Sequence, residues 1–247
     1  MRGGRHLVIE HYLWIEYGMT VKNQYEGLAG KLGLHGTFSP NKLESVHRWY
    51  PYLEGFSSTF VEDIISRWAN RQVSTIYDPF GGTGTAITVA AVNGIRGLYS
   101  EINPFMRHVI ESKTNVLRRV ANHNSEVAAY FQNLMDTARI LELSELQAEQ
   151  ELSAVFPGRP YFRGRRLVEI LALKTAIDVI DTNADFRSLG QLALASIGVA
   201  SSEMKRQADL RYRTEKELLS DEYSVYLAFE VKCNQIVHDI SSDYSTL

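Results

Sequence analysis

Hydrophobic and polar positions follow two different patterns along the chain, and the pattern changes near residue 119. Before this point, residues 73–77 carry β-branched and aromatic side chains without helical spacing, which indicates a buried strand, and residues 97–101 indicate a second one. A glycine-rich loop and the small apolar run 86–92 lie between them, so the pattern predicts strand, loop, helix and strand in that order. After this point, apolar residues recur at helical spacing.

The same spacing predicts helices on both sides of residue 119. A helix after Phe56 carries Val61 and Trp68 on one face, with Thr59 and Glu62 spaced as a capping box. In the second part we expect a long acidic helix over residues 121–152 and further helices over residues 167–180, 189–199 and 226–240. We expect no strand there.

Composition limits the classes of protein that fit this pattern. The chain has 247 residues with 45% hydrophobic content, enough for one core with a helical annex. Its net charge of −3 gives no overall attraction for nucleic acid, so such contact needs a local basic patch or a partner. The single Cys233 cannot form an internal disulfide and has no metal-ligand spacing around it, so we expect a cytoplasmic protein without a metal site. No apolar run approaches the roughly 20 residues that cross a bilayer.

The loop between the two predicted strands carries the candidate chemistry. Asp78 ends the first strand, and glycines at 81, 82 and 84 allow a ligand to approach the backbone and the start of the next helix. Glu101 follows Gly84 by 17 positions, a distance that suits hydrogen bonds to ribose hydroxyls. An acid beside a bare loop fits an adenosyl group with a cationic sulfonium better than a pyrophosphate. A tight turn without a ligand remains the alternative.

Residues 78–85, Asp-Pro-Phe-Gly-Gly-Thr-Gly-Thr, resemble the S-adenosylmethionine-binding motif Asp-Pro-Phe-x-Gly-x-Gly-Thr of DNA methyltransferases that modify exocyclic amino groups, cytosine N4 or adenine N6. Upstream, residues 49–56 resemble the His-Pro-Tyr-x-x-Lys-Phe segment that closes over the methionine end of the cofactor in that family. Downstream, residues 101–104, Glu-Ile-Asn-Pro, resemble its ribose-binding acid and the Asn-Pro that follows. The similarity spans residues 47–115.

This resemblance implies an α/β fold with part of a Rossmann-like methyltransferase sheet and S-adenosyl-L-methionine as the cofactor. It divides the chain into an N-terminal extension (residues 1–45), a cofactor-binding part (residues 46–118) and a mainly helical region (residues 119–247). The implied cofactor-binding residues are Tyr52, Phe56, Asp78, Pro79, Phe80, Gly81, Gly82, Thr83, Gly84, Thr85, Glu101 and Asn103.

Two basic stretches in the helical region are candidates for contact with double-stranded DNA. Arginine offers forked donors to phosphates, and neighbouring aromatic rings can stack on a displaced base. Ordinary solvated charge is the alternative. The helical region resembles the position at which some family members hold a target-recognition insertion. Its candidate DNA-binding residues are Arg159, Arg163, Arg165, Arg166, Arg206, Arg211 and Arg213.

The second signature of that family, a polar residue followed by Pro-Pro and an aromatic, does not occur in this sequence, because no two of its six prolines are adjacent. We therefore assign no catalytic residue. Cys233 lies in a predicted helix without a suitable motif, which gives no support to carbon-5 methylation. Two predicted strands also leave a sheet incomplete. We expect a second polypeptide or a missing segment to supply the catalytic motif and the rest of the sheet.

The resemblance thus implies a subunit or fragment of a restriction-modification DNA methyltransferase, inactive without its complement. Two other interpretations stay open. Guanine-N2 tRNA methyltransferases share a similar loop, although residues 1–70 are short for their usual RNA-binding domain. The other interpretation is a specificity or regulatory subunit that keeps the cofactor fold and transfers no methyl group.

Overall fold

A computed structural model describes residues 5–8, 36–52, 55–68, 73–206, 209–219 and 223–242. The chain divides after Arg119 into two compact units. In the first unit, two short 3₁₀ turns at Pro40–Lys42 and His47–Trp49 precede the longer helices. The helices and strands of this unit are β1 (Arg5–Val8), α1 (Ser58–Trp68), β2 (Val73–Asp78), α2 (Thr85–Val92), β3 (Arg96–Tyr99) and α3 (Pro104–Glu111), which continues through a π-helical turn (Ser112–Val116) into α4 (Leu117–Val120).

The sheet of this unit is parallel, with the order β1-β2-β3. Asp78 at the end of β2 lies opposite Tyr99 at the end of β3, so both carboxyl ends reach the same edge. The predicted strand, loop, helix and strand are confirmed. Strand β1 was not predicted, because four residues are too few for a periodic signal.

Helix α2 covers the sheet and packs against β2, β3 and α1. Val61, Ala86 and Val89 form the buried cluster between α1 and α2. The predicted capping box at Thr59 is wrong, since α1 begins at Ser58 and the Ser57 hydroxyl accepts the Phe60 N–H at 3.2 Å. Apolar burial therefore fixes α2 beneath the loop that follows β2.

The second unit is mainly helical, as predicted. Its elements are α5 (Asn124–Ile140), α6 (Glu145–Val155), α7 (Gly164–Val179), α8 (Ala184–Ser201), β4 (Met204–Arg206), β5 (Leu210–Tyr212), α9 (Glu215–Leu219) and α10 (Val225–Ser242). Helices α5, α7, α8 and α10 pack around fully buried side chains such as Leu134, Leu173, Leu189 and Phe229. Cys233 of α10 is buried among them, and this burial raises the pKa of its thiol.

Two predictions for this unit are wrong. The long helix over residues 121–152 is two helices, because Ser144 starts a new one: its hydroxyl accepts the Gln147 N–H at 3.2 Å, and Gln147 Oε1 accepts the Ser144 N–H at 3.1 Å. The basic stretch after α8 contains the antiparallel hairpin β4–β5 where no strand was expected. Within the described ranges, no helix is both long enough and apolar enough to span a membrane.

Candidate cofactor site

The loop between β2 and α2 borders a cavity of about 200 Å³ at the carboxyl end of the sheet. Ligands of open parallel sheets bind at this end of the strands. Of the twelve residues predicted to bind the cofactor, nine line this cavity, and Pro79, Gly84 and Asn103 do not. The complete lining is Tyr52, Gly55, Phe56, Asp78, Phe80, Gly81, Gly82, Thr83, Thr85 and Glu101.

Left-handed backbone at two glycines gives the loop its shape. Gly82 has φ +51° and Gly84 has φ +79°, a region that side chains disfavour. A Cβ at Gly84 would lie 2.9 Å from Cγ1 of Ile110, so the loop also lies directly against α3. Glycine at position 84 is therefore required both by conformation and by space.

Most of the amide groups of the loop are used inside the protein. The N–H of Phe80 donates to Asp78 Oδ1 at 3.0 Å, that of Gly81 to the Ser100 carbonyl at 3.0 Å, and that of Gly84 to the Gly81 carbonyl at 2.7 Å. A phosphate-binding loop instead points its N–H groups at the ligand. These bonds leave close approach of a ligand to the backbone as the main contribution of the loop.

Glu101 joins the loop to the helix that follows β3. Its Oε2 accepts the Gly82 N–H at 2.8 Å, and its Oε1 accepts the Asn103 N–H at 2.8 Å. Asn103 in turn caps α3, since its Oδ1 accepts the Phe105 N–H at 2.9 Å. A carboxylate oxygen has two lone pairs, so each oxygen can still accept a ligand hydroxyl. The acid is thus held in a fixed orientation at the cavity.

Asp78 and Phe80 add a second carboxylate and an apolar ring to the cavity. Asp78 is 5% exposed and places a carboxylate at the end of β2, where it attracts a cationic ligand group. The Phe80 ring is 59% exposed beside it and offers a flat apolar face. Together they suit a ligand that carries a positive charge near an apolar part.

A buried asparagine links the segment that carries Phe56 to the start of α2. Asn41 Nδ2 donates to the Phe56 carbonyl at 3.1 Å and to Thr85 Oγ1 at 3.4 Å, while its Oδ1 accepts the Ser58 N–H at 2.8 Å. Both Phe56 and Thr85 line the cavity. The sequence analysis missed Asn41, because a single polar residue in a loop has no periodic signal.

A buried lysine supports the loop from behind. Lys113 Nζ donates to the carbonyls of Thr83, at 3.4 Å, and of His47, at 3.3 Å, and the side chain is 1% exposed. Burial, and then the charge of Lys113, lower the pKa of His47 to about 3, so its ring is neutral near pH 7. The sequence analysis assigned no role to Lys113, because the two carbonyls that it binds are distant in sequence.

The composition of the cavity fits a ligand with hydroxyls, a cationic group and an apolar ring. Its volume of about 200 Å³ lies below the roughly 300–1,000 Å³ of most ligand pockets. An adenosyl cofactor would therefore extend past the side chains that line it here. No cluster of His, Cys, Asp or Glu suited to a metal ion occurs in the part of the chain that the structure describes.

The arginines predicted to contact DNA all lie in the second unit, and several have internal partners. Arg165 pairs with Glu169 at 2.7 Å, Arg166 lies 5.6 Å from the centre of the Tyr223 ring, Arg211 pairs with Glu217 at 2.8 Å, and Arg213 donates to the Ala200 carbonyl at 3.0 Å. The others, Arg159, Arg163 and Arg206, are exposed.

Comparison with curated proteins finds relatives for about a third of the chain. Over 78 residues, 32% of this chain, it is 36% identical to the Type II methyltransferase M.BsoBI of Geobacillus stearothermophilus. Part of this chain is homologous to Type II methyltransferases. A second Type II methyltransferase, M.AvaI of Nostoc sp. (strain PCC 7120 / SAG 25.82 / UTEX 2576), is 30% identical over 83 residues, 34% of this chain.

This homology confirms, for part of the chain, the methyltransferase resemblance found in the sequence. The aligned part spans only 15% of the length of M.BsoBI and 17% of M.AvaI. No protein-family model matches the chain. No solved structure matches it either.

Proposed function

We propose that this chain is the cofactor-binding part of a DNA methyltransferase. The enzyme transfers the methyl group of S-adenosyl-L-methionine to an exocyclic amino group, N4 of cytosine or N6 of adenine, in double-stranded DNA. A second polypeptide, or a segment beyond this chain, supplies the remaining strands and the catalytic residues. The whole acts as the modification enzyme of a restriction-modification system in the cytoplasm.

One observation carries this proposal: Glu101, Asp78 and the glycine loop surround one cavity in a chain with Type II methyltransferase relatives. Glu101 accepts hydrogen bonds from the ribose hydroxyls of the ligand. Asp78 lies near the cationic end, where its carboxylate favours a positive charge. Tyr52 and Phe56 close the methionine end. The internally bonded loop amides favour this ligand over a pyrophosphate, which needs free donors.

The bound cofactor supplies an electrophilic methyl group on its sulfonium. The residues of this chain bind and orient that group and restrict the access of water to it, so their contribution is one of positioning. The amino group of a flipped base must be held and stacked by other residues. This chain contains no Pro-Pro-aromatic sequence, and we therefore assign it no catalytic residue.

The edge of the sheet supports the need for a complement. Among the described residues, β3 pairs only with β2, which leaves its outer edge open. Leu98 on this strand is 39% exposed, and Ile102 just after it is almost fully exposed. Open edges with apolar side chains associate with other strands unless they are covered. Additional strands from the complement would cover this surface.

The test is methyl transfer by the reconstituted enzyme. The chain is coexpressed with the product of a neighbouring reading frame that contains the Pro-Pro-aromatic signature, and tritiated S-adenosylmethionine is added with duplex DNA. We expect label in N4-methylcytosine or N6-methyladenine from the mixture and from neither protein alone. Label in 5-methylcytosine, or label in tRNA that is offered in place of the duplex, would overturn the proposal. Cofactor binding without any transfer by the assembled pair would instead favour a regulatory subunit.

A further inference from the structure

The hairpin β4–β5 and the loop before α7 form one continuous surface of the second unit. The Glu203 N–H, just before β4, donates to the Tyr161 carbonyl at 2.7 Å, and the Arg213 N–H, just after β5, donates to the Glu203 carbonyl at 2.8 Å. The rings of Tyr161 and Tyr212 stack with their centres 6.3 Å apart and their planes 7° from parallel. The loop thus fixes the base of the hairpin.

The two faces of this hairpin differ in chemistry. Lys205 and Arg211 lie opposite each other on one face, and both bond to Glu217 at 2.8 Å. These bonds, from Arg211 first, lower the pKa of Glu217, and they give both basic side chains of this face an internal partner. Because side chains alternate along a strand, the residues at 204, 206, 210 and 212 share the other face.

That second face combines a positive charge with exposed apolar surface. Arg206 lies directly opposite Leu210, which is 49% exposed, and Tyr212 is 43% exposed. Arg159 and Arg163 are exposed on the loop that packs beside the hairpin. Within the described ranges, the guanidinium groups of these three arginines make no hydrogen bond or ion pair. They are therefore available to a ligand, unlike Arg165 and Arg211.

The hollow between the loop and the hairpin has a volume of about 520 Å³ and is lined by residues of both signs. Glu203 and Glu215 line it together with Arg159 and Arg163. A small free anion gains little from such a mixed lining. An extended polyanion that follows the exposed arginines and stacks or packs on exposed apolar side chains gains more.

We infer, on the basis of the function proposed above, that the β4–β5 hairpin is the DNA-reading element of this chain. It enters the major groove of duplex DNA with Arg206, Leu210 and Tyr212 toward the bases, while Arg159 and Arg163 contact flanking phosphates. The major groove, about 12 Å wide, admits a two-stranded β-ribbon. Arg165, Arg211 and Arg213 instead maintain the internal structure of this surface.

Salt dependence of DNA binding tests the three arginines. Fluorescence anisotropy of a labelled mixed-sequence duplex is measured with the full chain over a range of salt concentrations. Each lost phosphate contact lowers the slope of log K against log[salt] by about 0.9. We expect the double variant Arg159→Gln/Arg163→Gln to lower the slope by about twice this amount. Arg206→Gln should weaken DNA binding more than the control variant Arg139→Gln does.

The matched control is Arg139→Gln, which removes the same charge elsewhere in this unit from a residue that pairs with Glu230 at 3.5 Å. It should leave the slope unchanged. Equal slopes for the wild type and the loop double variant, or an equal loss in Arg139→Gln, would overturn the assignment. Circular dichroism should show the same melting temperature for all variants, because the substituted side chains are exposed.

Competition identifies the groove and the nucleic acid. Methyl green, which occupies the major groove, should displace the chain from DNA, whereas a minor-groove dye and inorganic phosphate should not. Displacement by the minor-groove dye alone, or tighter binding of duplex RNA, would contradict the inference. A titration with S-adenosylmethionine distinguishes the two proposals. Hairpin variants with unchanged cofactor affinity but an altered salt slope of DNA binding support the assignment of this surface. A chain that binds DNA through the hairpin without binding the cofactor would overturn only the proposed function.

Discussion

The backbone N–H of Gly82 donates a 2.8 Å hydrogen bond to Oε2 of Glu101, joining the glycine loop to the end of β3 across 19 positions of sequence. The loop and the acid are therefore one structural unit. The other carboxylate oxygen accepts the Asn103 N–H, so hydrogen bonds to both oxygens fix the rotation of the side chain. A ligand that binds Glu101 meets an acceptor whose orientation is already set.

The first prediction concerns this carboxylate. An amide at position 101 places an NH₂ group against one of two backbone donors, so Glu101→Gln loses one hydrogen bond and disturbs the loop. Hydrogen bonds to charged groups contribute about 1.5–3 kcal/mol, so we expect a loss of about 10- to 100-fold in affinity for S-adenosylmethionine. Calorimetry measures this change.

The control for this prediction is Glu111→Gln. Glu111, on α3, accepts hydrogen bonds from the Tyr99 hydroxyl and the Asn115 side-chain amide and does not line the cavity. Its substitution should therefore leave the affinity for S-adenosylmethionine unchanged within experimental error. If the two variants bind the cofactor equally well, the role assigned to Glu101 is wrong.

A second prediction compares two glycines with left-handed backbone. Alanine at Gly84, φ +79°, and at Gly94, φ +65°, both pay roughly 1–2 kcal/mol for that conformation. Only at Gly84 does the new Cβ meet Ile110, at 2.9 Å, which adds roughly 1–3 kcal/mol of overpacking. Urea unfolding should therefore show the larger loss of stability for Gly84→Ala. Equal losses would show that α3 moves away without cost.

The third prediction concerns Asn41. Alanine there removes the hydrogen bonds of Asn41 to the Ser58 N–H and the Phe56 carbonyl, and a buried donor left unsatisfied at Ser58 costs about 1–3 kcal/mol. Cofactor affinity should fall as well, because Phe56 and Thr85 line the cavity. The control is Thr88→Val, one turn further along α2. Its buried hydroxyl has no partner in the described part of the chain, so both stability and affinity should be retained. Wild-type affinity for S-adenosylmethionine in Asn41→Ala would show that Asn41 does not support the cofactor site.

The fourth prediction is a dependence of stability on pH. The pKa of His47 falls from 6.5 to about 3 on folding. Between these values the unfolded chain binds a proton that the folded chain does not, so the folded state loses about 1.4 kcal/mol per pH unit as the pH falls through this range. Above about pH 6.5 this contribution is absent.

Urea unfolding at several pH values checks this slope in the wild type and in His47→Gln, which cannot titrate and should lose less stability in acid. A wild-type slope in His47→Gln would assign the acid sensitivity to other groups.

Local sequence signals predicted the loop and its neighbouring elements well. Asp78, the glycines and Glu101 could be recognised because a strand, a turn and an acid at fixed spacing leave a pattern in the residues themselves. Asn41 and Lys113 could not be assigned roles, since each acts through carbonyl groups that are distant in sequence and meet only in the folded chain.

The second unit shows the same limit. Its helices follow from apolar periodicity, but Ser144 and Gln147 break one of them through a cap that the acidic run conceals. The hairpin β4–β5 was missed because its strands have only three residues each, too short for alternation to be distinguished from a charged helix. The internal partners of Arg165 and Arg211 could not be predicted either, because the number of basic residues in a stretch does not show which of them form ion pairs in the fold.

The most direct test of the central claim is ultraviolet cross-linking of tritiated S-adenosylmethionine to the full chain, followed by mapping of the labelled peptides. The account predicts saturable label in peptides that contain residues 49–56 or 78–85, lost in the presence of excess unlabelled cofactor. Absence of label even after addition of the complementing polypeptide, or label confined to the second unit, would contradict it.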